Sequence, residues 1–507
     1  MQDKLKKLKA RLARVADLAM AANVLEWDME THMPEGGSDT RSDQIGALRG
    51  LAHQYFTDEE VGALFDDLKP LAEELGYDSD DASIIRVGMI EYEKQVRVPG
   101  DLVEEMTKLQ AQAQVIWRRA RVENNFKAFQ PYLEKTIELQ KRYAACFQSQ
   151  GNPYDVLLDR YEPDMSFDQI HAIFSSLKPQ VVELVRGIAA HQSRVDDSVM
   201  RQHYPQDQQL EFGKGVAAEL GYDFNRGRLD LSAHPFSIHF SRDDSRITTR
   251  VNENFLPTCL MGVIHETGHS MYEQGTSPSL YRIGLGRDNV MGSGTSYSVH
   301  ESQSRFYENV IGRSRPFWKH FFPKAQAAFP SQLGNVKPED FYRALNKSEA
   351  GLIRVEADEV TYGLHIMLRF EIENDLINNR IQARDLPEIW NTKMREMLGL
   401  TPPNDADGVL QDIHWSAGYF GYFPDYLLGS IFSVQLWDAL QKDIPDVESQ
   451  IEHGKFEAVL DWQRTRIHQH GKKFSLPELA QRATGRDLTW EPYVQYLTGK
   501  YGEVYGL

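Results

Sequence analysis

The feature that most constrains this chain is His265-Glu266-Thr267-Gly268-His269, set inside the apolar stretch 263–271. On a helix, residues four apart share a face about one turn apart, so His265 and His269 can offer two imidazole nitrogens to one metal ion. Glu266 projects beside them, within reach of a water on that metal. Two ligands, a general base and an open coordination position make the arrangement of zinc hydrolases. Pro257 and Thr258 suit the start of such a helix and Gly275 suits its C-terminal cap. Leu260, Val263, Ile264 and Met271 give it the apolar sides of a buried helix. The plainer alternative is a core helix with two satisfied histidines. It leaves Glu266 buried without a purpose, which is costly.

A catalytic zinc needs a third protein ligand, and Glu301 in Ser298-Val299-His300-Glu301 is the first choice, with Glu273 and Glu308 as fallbacks. A competing reading exists, because Ser298-x-x-Glu301 is also a capping-box pattern. Ahead of the metal helix, 236–240 and 247–251 are short, alternating and rich in β-branched or aromatic residues, and 241–245 reads as a turn. This predicts a β-hairpin whose exposed edge can pair with an extended peptide. Asp244, Arg246 and Thr248 are expected to brace the site or touch substrate, ordinary polar contacts within the hairpin being the alternative, and 275–297, rich in Gly and Ser, reads as a loop near the site.

The rest of the chain reads as helix. Leu5, Leu8, Leu12 and Val15 predict an amphipathic helix through Ala22, followed by breakers at Pro34, Gly36 and Gly37. Trp27, beside Asp28, is read as core packing next to a cap. Helical periodicity then dominates 39–225, including 101–122 and 132–148, with breaks near Pro99, Gly151 and Pro163. Downstream, 353–358 opens a long helix with Val360, Leu364 and Met367 on its apolar face. Arg354 there can grip a carboxylate bidentately, and Glu356 and Asp358 are placed to orient the metal histidines. The block 408–426 holds three glycines and many aromatics, in which His414 and Tyr422 are donors suited to an oxyanion, core packing being the alternative for the remainder.

Composition excludes several classes. The net charge of −18, from 74 acidic and 56 basic residues, argues against nucleic-acid or anionic-membrane partners. Only two cysteines, Cys146 and Cys259, fit a reducing compartment. The absence of an apolar run of membrane-spanning length, and of an apolar signal core after the basic N-terminus, leads to an expected cytoplasmic location.

Together these blocks resemble the carboxypeptidase Taq family of metallocarboxypeptidases. The resemblance is carried by His234-Pro235-Phe236, Asp244-x-Arg246-x-Thr248, His265-Glu266-x-x-His269, His300-Glu301-Ser302-Gln303, Ile353-Arg354-x-x-Ala357-Asp358 and Gly408-x-x-Gln411-Asp412-x-His414-Trp415, with Leu25-Glu26-Trp27-Asp28 and Gly421-Tyr422-Phe423-Pro424 in addition. It implies a mainly α fold: a single helical catalytic domain with a deep groove and a small β-hairpin or sheet, similar to neurolysin and angiotensin-converting enzyme. Within that domain 1–230 is the expected helical wall, 231–430 carries the metal and substrate motifs, and 431–507 adds C-terminal helices. The implied activity is removal of C-terminal residues from peptides with a free C-terminus, with broad specificity and proline disfavoured, by a homodimer holding one zinc that cobalt can replace. By the same resemblance His265, His269 and Glu301 are metal ligands and Glu266 is base, then acid. His414 and Tyr422 serve the oxyanion, Arg354 holds the substrate carboxylate, and His234, Arg246 and Gln411 belong to substrate binding. The competing functions are a zinc oligoendopeptidase and a non-catalytic helical scaffold with a structural metal. An aminopeptidase is disfavoured because no Gly-x-Met-Glu-Asn motif is present, and a structural zinc because the cysteines form no cluster.

Overall fold

A computed structural model describes residues 1–147, 151–285 and 296–507. The chain is mainly helical, with one three-stranded sheet. Contacts group it into two compact units that interleave along the sequence: unit 1 is Met1–Gln95, Asp196–Asn346 and Phe432–Leu488, and unit 2 is Val96–Val195, Lys347–Ile431 and Thr489–Leu507. Among the described residues no helix is long and apolar enough to cross a membrane.

Unit 1 begins with the helix Gln2–Thr31, which buries Leu5, Leu8, Leu12 and Val15 at the spacing read from sequence. These side chains pack with Phe56, Val61, Leu64, Phe65 and Leu68 from the two helices that follow, Ser38–Phe56 and Glu59–Leu75. The first helix runs past Ala22, so Trp27 and Asp28 lie in its last turns rather than beyond it. Trp27 is buried under the Arg246 guanidinium, 4.3 Å from its ring, and Asp28 pairs with Arg41 at 2.6 Å instead of capping.

The sheet has the order β1-β3-β2, with β1 (Leu229–Leu231), β2 (Ser237–Ser241) and β3 (Asp244–Thr249). The expected hairpin is β2–β3, antiparallel, with Ser237 opposite Ile247 and a turn shorter than the sequence implied. The parallel strand β1 was not expected: three residues are too few to display an alternation. Nor is the β2 edge bare, since the Asn23 side-chain amide donates to the His239 carbonyl at 3.3 Å. Thr248 braces the hairpin by accepting from the Phe236 N–H at 2.9 Å.

The histidine helix, Pro257–Gly275, lies against β3, tied by a Ser245–Ser270 hydroxyl contact of 2.9 Å. Pro257 does stand at its first turn. Gly275 is its last helical residue and not a left-handed cap: a Cβ there would sit 2.7 Å from the His468 ring, so the glycine makes room for a neighbour. The stretch expected to be a loop folds further where described, as a short helix Pro278–Leu280 and a π-helical turn Tyr281–Leu285. Gly286, Gly292 and Gly294 lie outside the described residues.

In unit 2 the helices Gly100–Val122 and Phe126–Ala145 pair, and Tyr362–Ile377 is buried along almost its whole length. The helix expected to open at 353 opens at Tyr362. Arg354–Glu356 is a 3-10 turn, and Val360 precedes the helix. The Asp358 side chain explains the delay by accepting from the N–H groups of Val360 (2.9 Å) and Thr361 (3.1 Å), a local turn that competes with helix. Asp358 is therefore engaged in its own loop, and the metal histidines are oriented by other groups. The fully buried Glu373 accepts from the Tyr154 hydroxyl (2.7 Å), the Trp415 indole (2.8 Å) and the Gly421 N–H (2.8 Å), which fixes the 408–426 block.

Candidate active site

In unit 1, His265 and His269 share one face of the histidine helix, and Glu301 faces them from the helix Tyr297–Arg305. One ligand atom from each lies within 4.8 Å of the others. Glu301 Oε2 is 3.7 Å from His265 Nε2 and 3.3 Å from His269 Nε2. The cap of this second helix is Ser296, whose hydroxyl accepts from the Val299 N–H at 2.9 Å. Glu301 is thus free of the capping-box role that Ser298 offered. Its close approach depends on Gly268, where a Cβ would fall 2.5 Å from the Gln303 carbonyl oxygen and 2.7 Å from Ser304 Cα.

The two fallback ligands have other places. Glu308, in the π-helical turn Phe306–Ile311, accepts from His265 Nδ1 at 2.9 Å. Glu273 contacts His300 Nε2 at 2.9 Å, and His300 Nδ1 lies 2.5 Å from His269 Nδ1. Arg305 donates to Glu301 Oε1 at 2.7 Å, and the Ser304 hydroxyl donates to Glu301 Oε2 at 3.0 Å. Sequence reading missed Arg305, His300 and the true role of Glu308. The available signals were an Arg four residues after a carboxylate and a His adjacent to a proposed ligand.

Electrostatics favour a cation here. Burial opposes a charged His265, yet Glu301, Glu308 and Glu266 outweigh it and push its pKa up to about 9. Burial likewise opposes a charged Glu301, but Arg305, His265 and His269 hold its carboxyl well below the usual range. Glu308 is brought down to about 2 against burial, by Arg305 and His265. A pocket that keeps a proton on imidazole to high pH while its carboxylates stay ionised suits a divalent metal, which replaces that proton. Two imidazoles and one carboxylate are the donor types from which three-ligand catalytic metal sites are built. Glu266 is 6% exposed on the same helix.

Unit 2 gathers the remaining candidates. Arg354, 5% exposed, gives Nε and Nη2 to Asp412 Oδ1 (3.0 and 2.8 Å) and Nη1 to the Tyr362 hydroxyl (3.1 Å), leaving two of its five N–H groups. Arg369 takes the other oxygen of Asp412 at 2.7 Å. Gln411 uses its whole amide internally. Its oxygen accepts from the Arg354 N–H and from Arg369 Nη2, both at 2.8 Å, and its nitrogen donates to the Leu352 and Asp407 carbonyls, both at 3.1 Å. No capacity remains for substrate, so Gln411 positions the Arg354 loop. His414 Nε2 is 3.2 Å from the Tyr426 hydroxyl, and its ring lies 5.7 Å from that of Tyr422. Burial, then Arg354, lower the His414 pKa to about 3, so it is neutral at working pH. Tyr422 is partly exposed, as a donor to substrate needs to be.

Two expected substrate residues sit in unit 1. His234 is exposed before β2, its carbonyl accepting from the Ser232 hydroxyl at 2.7 Å. Arg246 forms a fork with Asp244, both bonds 2.9 Å, and covers Trp27.

A helical fold carrying a His-Glu-x-x-His helix and a carboxylate from a second helix defines a metallopeptidase. Residues 7–501 match the family described as carboxypeptidase Taq (M32) metallopeptidase, and the chain belongs to that family. It is 39% identical to thermostable carboxypeptidase 1 of Thermus thermophilus and 37% identical to carboxypeptidase 1 of Bacillus subtilis, each over 97% of both chains. The solved M32 carboxypeptidase of Deinococcus radiodurans superposes with a TM-score of 0.94 at 36% identity, covering all of both chains. The protein is accordingly a metallocarboxypeptidase and a hydrolase, as its sequence motifs implied.

Proposed function

We propose that the chain, acting as one catalytic domain over 1–507, is a zinc carboxypeptidase that releases C-terminal residues from peptides with a free C-terminus, broadly but with proline disfavoured. The observation that carries this reading is the clustering of His265, His269 and Glu301 ligand atoms within 4.8 Å. These three residues hold the metal, zinc by choice and cobalt in its place. When bound, the metal supplies a Lewis acid that polarises the scissile carbonyl and acidifies water. Glu266 takes a proton from the attacking water and hands it to the leaving amine, a role worth roughly 10²–10⁴-fold in rate. His414, being neutral, has one N–H to donate to the developing oxyanion, and Tyr422 donates beside it. Arg354 holds the substrate carboxylate through the N–H groups that Asp412 and Tyr362 leave over. His234 and Arg246 line the approach of the peptide. The location is cytoplasmic and the assembly a homodimer.

The test is product analysis by mass spectrometry on a free-acid peptide, its C-terminally amidated twin and a chelator control. A ladder losing residues one at a time from the free acid, weak on the amide and abolished by chelator, is expected. Internal fragments from both peptides would instead identify an oligoendopeptidase.

A further inference from the structure

The motif His300-Glu301 contributes one ligand by the reading above, and that reading leaves its histidine without a task. The geometry points to one: we infer that Glu273 and His300 form a two-step relay that fixes the tautomer of His269 and so aims its Nε2 lone pair at the metal. The inference rests on reading His269 as a ligand.

The two rings meet edge to edge. Their Nδ1 atoms are 2.5 Å apart while their centroids are 4.5 Å apart and their planes differ by only 24°, which is the geometry of an in-plane hydrogen bond and not of a stack. One of the two Nδ1 atoms must carry the proton and the other must accept it. With a carboxyl oxygen of Glu273 accepting the His300 Nε2–H across 2.9 Å, His300 Nδ1 is left to accept the Nδ1–H of His269. The remaining nitrogen of His269, Nε2, is left unprotonated on the side of Glu301, 3.3 Å from Oε2.

The far end is equally fixed. Glu273 lies on the histidine helix one turn beyond His269, fully buried, and its Oε1 is also 3.7 Å from His239 Nδ1 on β2. The Tyr272 ring meets the His300 ring edge-on at 5.0 Å. A ligand histidine usually gives its second nitrogen straight to a carboxylate, as His265 does to Glu308. For His269 a second imidazole is interposed. Glu273 and His300 are positioning residues, and neither is a ligand.

The test compares the full-length wild type with His300→Leu, His300→Asn and Glu273→Met. Folding is followed by circular dichroism and metal-free melting. Zinc affinity is measured by chelator competition, and site geometry by the visible spectrum of the cobalt-loaded protein. Asparagine keeps an acceptor where Nδ1 stood but cannot reach Glu273, whereas leucine keeps neither function. We expect His300→Leu to bind zinc roughly 10- to 100-fold more weakly, His300→Asn to fall between it and the wild type, and the cobalt spectrum to change in the same order. A purely structural role would make affinity follow melting temperature instead. Unchanged zinc affinity in folded His300→Leu overturns the relay. Should that variant not fold, unchanged affinity in the similarly sized Glu273→Met, which removes the acceptor of the His300 Nε2–H, overturns it equally. A wild type that takes up no zinc would refute the metal-centre reading itself, a result distinct from either.

Discussion

Gly268→Ala tests how closely the two metal helices must approach. An added Cβ would lie 2.5 Å from the Gln303 oxygen, where ordinary contact begins near 3.4 Å, a shortfall of 3.4 − 2.5 = 0.9 Å; against Ser304 Cα it is 3.4 − 2.7 = 0.7 Å. Both obstacles are backbone, so no side chain can swing aside and the helix bearing Glu301 must retreat. Metal–ligand distances tolerate only about ±0.2 Å, several times less than that retreat. The stability effect is small by contrast. Alanine in a helix interior gains about 1 kcal/mol over glycine, and overpacking loses about 1–3 kcal/mol, for a net loss of about 0–2 kcal/mol. Misplacing a catalytic group by about 1 Å can lower turnover about 100-fold. The assay is zinc affinity by chelator competition together with kcat/KM on a free-acid peptide. Gly262→Ala, on the same helix, is the control: its nearest contact is the Thr249 hydroxyl at 3.3 Å, a side-chain atom able to move. A Gly268→Ala protein that matches this control in zinc affinity and kcat/KM would refute the reasoning.

Glu266→Gln should retain zinc and lose turnover by about 10²-fold or more, measured as metal content beside kcat; wild-type turnover in that variant would remove Glu266 as the base. Asp412→Ala strands the buried guanidinium groups of Arg354 and Arg369 and should destabilise the protein by about 3–5 kcal/mol in denaturant titration. Zinc at about 100 times its dissociation constant should stabilise folding by about 2.7 kcal/mol, and a chelator should reverse the rise in melting temperature. Burial pushes the Cys259 thiol up to about 11, so at pH 8 a thiol reagent should label the partly exposed Cys146 and spare Cys259 until the chain unfolds, as read by mass spectrometry.

The pair of imidazoles was legible because helical spacing alone aligns His265 with His269. Glu301 was harder, and the structure removes its capping reading by showing Ser296 at the cap. The partners of the ligands depend on how near two helices come, which Gly268 permits but no periodicity announces. That is why Glu308 and Glu273 entered as rival ligands. Arg354 was placed on a helix because Val360, Leu364 and Met367 continue the pattern backwards. The side chain of Asp358 interrupts it locally, and a hydrophobic period does not register a single hydrogen-bonding carboxylate. Gln411 could be seen to matter from its motif, but its internal bonding could not.

The ligands, the carboxylates behind them and the interposed histidine all come from unit 1, between His239 and Glu308, whereas Arg354, Gln411, Asp412, His414 and Tyr422 all belong to unit 2. On the proposed roles, the residues that hold the metal and those that meet the substrate carboxylate and the oxyanion are thus written in separate stretches of the chain, while His234 and Arg246 share the stretch of the metal. A chain damaged only in the second stretch would keep its metal and lose its turnover, an idle metal carrier.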